Sequence, residues 1–247
     1  MADKFWYLKN CDLFERLTPK QIERLESGSK AKDFQRGGLI YLPSDESNSI
    51  FLLAAGRVKL HHITAEGKQA VLAIIDPGEI FGELAIFDGG QREEFAEAME
   101  KSTVIMIAGK EVERLMEEHA DVSLGITRLI GLRRRRIERR LKSLLFRSNR
   151  ERLIHLLLEL AEKYGQPTAE NVPIGIKLSH QDLASIIGST RETVTVLLGE
   201  LQLEGLLQVR RRQIILSDVA RLAGSINVDA PEIKSDKEVG QRILRQA

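Results

Sequence analysis

The sequence predicts an α+β protein: a short N-terminal helix, an antiparallel β-domain, one long helix, and a C-terminal domain of short helices closed by a hairpin. Three observations predict it. Short apolar runs broken by Gly, Pro, Asn and Asp recur from about 33 to 108. Residues 110–145 then switch to apolar spacings of three and four, and residues 179–216 hold two capped helical patterns about a glycine, followed by strand, basic turn and strand. With 247 residues, 43% of them hydrophobic and 30% charged, the chain can bury ordinary cores in one large or two modest domains.

In chain order, residues 12–26 read as an amphipathic helix with Leu13, Phe14, Leu17, Ile22 and Leu25 on its apolar side, and Thr18-Pro19 able to start a second turn. The next apolar runs are 39–42, 50–53, 58–60, 71–75 and 104–107, with turn residues at 43–45, 55–56, 66–67 and 76–78. Strands of this length and spacing predict a small antiparallel sandwich or barrel. Over 110–145, Ser123, Ile126, Ile130, Arg133, Ile137, Leu141 and Leu144 form a stripe. A stripe of this period fits a second copy of the same helix, so a homodimer is expected, with packing inside its own chain as the alternative. Residues 146–149 read as a hinge, with Ser148 or Asn149 capping a helix that carries Leu153, Ile154, Leu156, Leu157, Leu160 and Ala161.

Charge is uneven. Residues 1–127 hold 15 Lys/Arg against 22 Asp/Glu, residues 128–152 hold 11 against 2, and residues 153–247 hold 11 against 12. The arginines at 133–136, 139 and 140 read mainly as a solvated helix face with long aliphatic stems. Global charge therefore makes no case for nucleic acid. No apolar stretch approaches the ~18 residues of a membrane helix, and no secretory signal is expected. One cysteine, Cys11, excludes an internal disulfide, a Cys-rich zinc site and a four-cysteine iron–sulfur cluster. A cytoplasmic protein is expected.

Residues 179–207 carry the most information. Ser179 caps a short helix holding Leu183, Ala184 and Ile187, and Gly188 supplies the positive φ of a sharp turn. Ser189 or Thr190 caps a second helix whose apolar face is Val194, Leu197, Leu198 and Leu201. Its exposed start is Thr190, Arg191, Glu192 and Thr195. This is helix-turn-helix geometry, with Arg suited to guanine O6/N7 and Glu to the cytosine amino group. Arg210, Arg211 and Arg212 then sit on a hairpin tip placed to meet phosphates.

At these residues the chain resembles the Crp/Fnr superfamily of bacterial transcription regulators, over about 12 to 220. The stretch Gly-Ser-Thr-Arg-Glu-Thr-Val is specific, and Ser-His-Gln…Ile-Gly-Ser-Thr-Arg…Thr-Val-Thr…Leu-Leu-Gly is also similar to the cyanobacterial nitrogen regulator branch. The resemblance implies a cyclic-nucleotide-binding-like effector or sensor β-roll over 1–109, a dimerisation helix over 110–146, a winged helix-turn-helix over 147–223, and a tail over 224–247. It implies a homodimer on a palindromic promoter site, working with RNA polymerase and more often activating. Arg191 and Glu192 match base-reading positions, and Ser179 and Gln181 match positions that touch the DNA backbone. Where many relatives carry a second base-reading arginine, this chain has Val196, and Thr195 is the expected substitute, against a thymine methyl.

Phe81-Gly82-Glu83-Leu84 resembles the family's phosphate-binding cassette. A gap-free alignment places Glu94 where the anion-binding arginine would stand; a short gap brings Arg92 there and Glu93 beside it. A carboxylate in that place repels phosphate. Positions that meet adenine in cyclic-AMP relatives match Ile137 and Glu138. Gating by cyclic AMP is therefore not expected, 2-oxoglutarate meets the same objection, and Glu83 becomes a structural cap on the cassette turn. No cofactor is predicted. Haem, with Cys11, His61, His62 and His119 as sensor-half ligand candidates, ranks below a non-nucleotide effector or none. No catalytic or metal site is expected: adjacent His61 and His62 point to opposite strand faces and suit no cupin-type metal. A DNA-free partner module is the remaining alternative class.

Overall fold

The structure is a computed structural model that describes residues 14, 17–46, 48–84, 91–211 and 213–233. Cys11, Arg212 and the tail beyond 233 lie outside the described residues. Helix α1 spans Pro19–Ser27. Pro19 takes its first helical position and Thr18 caps it, as the Thr18-Pro19 pair suggests. The Thr18 amide donates to Gln21 Oε1 at 2.7 Å. Positions 12, 13, 15 and 16 of that reading fall outside the described residues.

Among the described residues eight strands follow: β1 (Ser29–Phe34), β2 (Leu39–Tyr41), β3 (Ser49–Ala55), β4 (Val58–Ile63), β5 (Gln69–Ile75), β6 (Ile80–Phe81), β7 (Phe95–Ala98) and β8 (Ser102–Ala108). They form two four-stranded sheets, ordered β1-β8-β3-β6 and β2-β7-β4-β5, with antiparallel pairing throughout. Strand β3 explains its own sequence. Phe51 and Leu53 face the interior of the roll with Val58, Leu60, Ala73, Ile75, Phe81 and Val104. Ile50, Leu52 and Ala54 face helices instead, so an unbroken apolar run replaces the usual alternation.

Helix α2 (Gly109–Glu118) and helix α3 (Ala120–Phe146) follow. The expected single helix over 110–145 is broken at His119, whose φ −136 and ψ 103 are extended. The break lets Val112 and Leu115 on one side, and Val122 and Ile126 on the other, reach one core with Ile22, Leu25, Ile105 and Ile107. This corrects the upper dimer stripe. Ile126 is 1% exposed inside its own chain, and Ile130 packs against the same cluster. A period of three and four identifies a seam but not the partner that fills it.

The chain divides into two compact units after Ile137, within α3. In the second unit, α4 (Asn149–Tyr164) begins at Ser148, whose hydroxyl accepts from the Glu151 amide. Its buried face is Leu153, Ile154, Leu156, Leu157, Leu158, Leu160 and Ala161. Strand β9 (Val172–Pro173), α5 (His180–Ile187), α6 (Arg191–Leu203), the hairpin β10 (Leu207–Arg210) and β11 (Gln213–Leu216), and α7 (Val219–Gly224) complete it. The three strands pair in the order β10-β11-β9.

Candidate nucleic-acid interface

Local capping builds the face. The Ser179 hydroxyl accepts from the Asp182 amide at 3.1 Å, and the Ser179 amide donates to the Asp182 carboxylate at 2.8 Å. Four orphan amides at a helix start need such partners, so a short α5 can begin here. Gly188 ends it at φ +65, and the Ser189 amide returns to the Ala184 carbonyl. A Cβ on Gly188 would lie 2.8 Å from Leu144 Cδ2, so close packing as well as φ favours glycine. Thr190, not Ser189, caps α6, its hydroxyl accepting from the Thr193 amide at 3.1 Å.

Burying Val194 (0%), Leu198 (2%) and Leu201 (0%) turns the opposite side of α6 to solvent. Thr190, Arg191, Glu192, Thr195 and Val196 are all exposed there. The Thr195 hydroxyl donates to the Arg191 carbonyl at 2.8 Å and lies 2.8 Å from His180 Nδ1. It joins α5 to α6. Gln181, expected at the DNA backbone, is exposed and donates to Ser185 Oγ at 3.3 Å. On the wing, Arg210 and Arg211 are exposed; Arg210 donates to Gln208 Oε1 at 3.0 Å, and Arg211 turns the chain at φ +36. Arg212 lies outside the described residues.

Two positioning groups escaped the sequence reading. Arg152 Nη1 donates to the Ile187 carbonyl at 2.7 Å and to that of Gly188 at 3.4 Å, and its Nη2 meets Asn149 Oδ1. A cation thus meets the carbonyl end of α5, where the helix dipole favours it. Arg150 pairs with Glu200 at 3.6 Å and Glu204 at 2.6 Å, holding the far end of α6. Both belong to the basic segment 128–152, and nothing in their spacing separates them from its solvated arginines.

Beside Gly82 of the cassette the roll holds a buried cation. Arg92, not Glu93 or Glu94, is the buried group, at 4% exposure. Its guanidinium lies 4.3 Å from the Tyr41 ring centroid and 4.9 Å from that of Phe51. Nη1 donates to the Gly82 carbonyl at 3.0 Å and Nη2 to that of Ser49. Gly82 is at φ +72, and a Cβ there would meet Arg92 Nη1 at 2.5 Å. Burial lowers the Arg92 pKa from its ordinary value. Glu94 accepts from the Tyr41 hydroxyl at 2.6 Å; burial first, then Glu94, pushes the Tyr41 pKa far up. Glu93 and Leu84 are exposed. Of the two alignments, the one that brings Arg92 to the arginine's place agrees with this burial, and Glu93 beside it faces solvent.

Glu83 is likewise no turn cap. It is 1% exposed and forms an ion pair with Arg133, which also donates to the Ile80 carbonyl. Arg133, expected in the dimer seam, is thus turned onto its own roll. A buried carboxylate needs such a partner. Ile137 is 56% exposed, and Glu138 is exposed too.

The two units define a class: a regulator with a β-roll and a winged helix-turn-helix. Comparison with known proteins supplies the family. The cyclic nucleotide-binding domain family matches residues 31–119 and the Crp-like helix-turn-helix domain family residues 151–224. The chain is 31% identical over 183 residues to the global nitrogen regulator of Nostoc sp. (strain PCC 7120), covering 73% of this chain and 82% of that protein. It is 25% identical over 216 residues to the CRP-like cAMP-activated global transcriptional regulator of Mycobacterium tuberculosis, covering 87% and 96%. Among solved structures, a CooA variant from Carboxydothermus hydrogenoformans has the same fold, with TM-score 0.73, 23% identity and coverage of 92% and 97%. A CRP/FNR family transcriptional regulator from Thermus thermophilus matches with TM-score 0.65, 28% identity and coverage of 81% and 100%. The chain belongs to the Crp/Fnr superfamily and is a DNA-binding transcription regulator.

These relatives are regulators rather than enzymes. Among the described residues no helix is long and apolar enough to cross a membrane. Nor does any group of three or more His, Cys, Asp or Glu there stand ready for a metal ion.

Proposed function

We propose that the chain works in the cytoplasm as a homodimeric activator on a palindromic promoter site, with RNA polymerase as its partner, and binds DNA without cyclic AMP, haem or another cofactor. The observation that carries base reading is the exposed Arg191–Glu192 pair at the capped start of α6. Arg191 meets guanine O6/N7, Glu192 the cytosine amino group, and Arg210, Arg211 and Arg212 phosphates. Ser179 and Gln181 at the start of α5, and Ser189 and Thr190 before α6, meet the DNA backbone in this reading. The homodimer rests on the lower half of α3, where Ile137 (56%), Leu141 (55%) and Leu144 (47%) remain exposed at spacings of four and three.

Independence from cyclic AMP rests on two engaged groups. Glu83 is paired with Arg133, and the terminal nitrogens of Arg92 donate to backbone carbonyls. Ile137 and Glu138 offer no hydroxyls to a base. A second reading, an acidic small effector, is favoured by one observation: Arg92 is a buried cation. Selection of duplexes from a random pool by the full chain, with sedimentation of the complex, tests the proposal. A symmetric consensus bound by two chains is expected. An asymmetric site bound by one chain overturns the dimer, and a pool without consensus overturns base reading.

A further inference from the structure

On the proposed DNA-reading role of α6 rests one more assignment. We propose that Val196 is a specificity-determining residue that reads a thymine through its C5-methyl group. The apolar residues of α6 divide sharply. Val194, Leu198 and Leu201 are buried, whereas Val196 is 60% exposed. Four residues separate it from Glu192, so the two share one side of the helix. Valine is among the poorer helix formers because its branched β-carbon is restricted, so helix stability does not call for it at an exposed mid-helix position.

The neighbours leave this side chain open to a base edge. The hydroxyl of Thr195, the other candidate, is held by the Arg191 carbonyl and His180, which leaves one methyl for apolar contact against the two of Val196. Gly199, next along the same side, has nothing within 4 Å of where a Cβ would stand. It therefore leaves room for a base edge to approach Val196. Arg191 is the only cation in the helix, against Glu192 and Glu200. A second guanine cannot be read here by a charged donor. The apolar feature of the major groove is the thymine methyl, and an isopropyl group matches it. Leu203 is 91% exposed but lies seven residues on, ~10 Å further along the axis, beyond the reading end.

The test replaces each thymine of the selected duplex by deoxyuridine, one symmetric pair at a time. This removes the methyl and keeps the pairing edge. Anisotropy titrations compare the full wild-type chain with Val196→Ala and Val196→Ser. At one thymine position the wild type is expected to lose about fourfold per half-site, the equivalent of ~0.8 kcal/mol for one buried methyl. Both variants lose that sensitivity there and keep it elsewhere. A wild type indifferent to deoxyuridine at every position overturns the assignment, as do variants that keep the full wild-type pattern. A clear consensus with no methyl dependence defeats the Val196 assignment alone. A pool with no consensus defeats the base-reading proposal and this one with it.

Discussion

Replacing Arg152 by Met should loosen the helix-turn-helix without touching its reading groups. The change keeps an aliphatic stem of similar length and removes the guanidinium. What goes is one good hydrogen bond to the Ile187 carbonyl at 2.7 Å, a weak one to Gly188 at 3.4 Å, and the contact with Asn149. A hydrogen bond to a charged group is worth ~1.5–3 kcal/mol, and because all three contacts here are partly or fully solvated their sum stays within that range. The Ile187 carbonyl is left at the end of a helix whose last turn carries no basic residue. A loss of about 2 kcal/mol in the C-terminal unit follows. Urea unfolding of the full chain, followed by circular dichroism, should show an earlier midpoint with the slope unchanged. Anisotropy should show weaker binding by one common factor on the selected site and its single-base variants. A stability change below ~0.5 kcal/mol would refute the positioning role. So would a loss of discrimination confined to one base pair.

Three further outcomes are expected. Gly188→Ala should cost ~1–2 kcal/mol, because φ +65 is strained for alanine and the Leu144 methyl can give way, and Gly188→Asn should cost less; equal denaturation midpoints would contradict this. Arg191→Ala should cost ~1–3 kcal/mol in binding and relax one base position, whereas Arg211→Ala should weaken all sequences alike and lower the salt slope by about one; anisotropy across single-base variants and salt separates the two. His61 is buried, stacked on Phe95 at 5.2 Å, with Nε2 3.2 Å from a Glu97 oxygen that also pairs with Lys59. Burial first, then Lys59, hold its pKa below the ordinary 6.5, against the opposing pull of Glu97. The unfolded chain therefore takes the proton more readily, so stability is full above that value and falls as pH drops below it. His61→Gln should flatten this part of the pH dependence in urea titrations, and an unchanged slope would contradict it.

The helix-turn-helix was legible because its determinants are local. Ser179 and Asp182 lie three residues apart, as do Thr190 and Thr193, and Gly188 needs only its own φ. The roll was legible as strands, yet its pocket was not. Arg133 meets Glu83 across 50 residues, and Arg92 meets Ser49 across 43. A cation's partner at such separation leaves no periodic trace. The α3 stripe failed halfway for a related reason. Ile126 and Leu141 lie on one stripe of one period, but only the fold decides that Ile126 meets the roll while Leu141 meets solvent. Val196 was visible as a missing arginine, and its exposure beside an engaged Thr195 required the structure.

Fluorescence anisotropy of the purified chain, without ligand, on the selected palindrome and on a scrambled duplex at two salt concentrations bears most directly on a ligand-free, base-reading dimer. Tight binding to the palindrome is expected, with a large preference over the scrambled duplex at both salts, unchanged by cyclic AMP. Weak, equal binding to both duplexes that collapses steeply with salt, and becomes selective only when a small molecule is added, would contradict it.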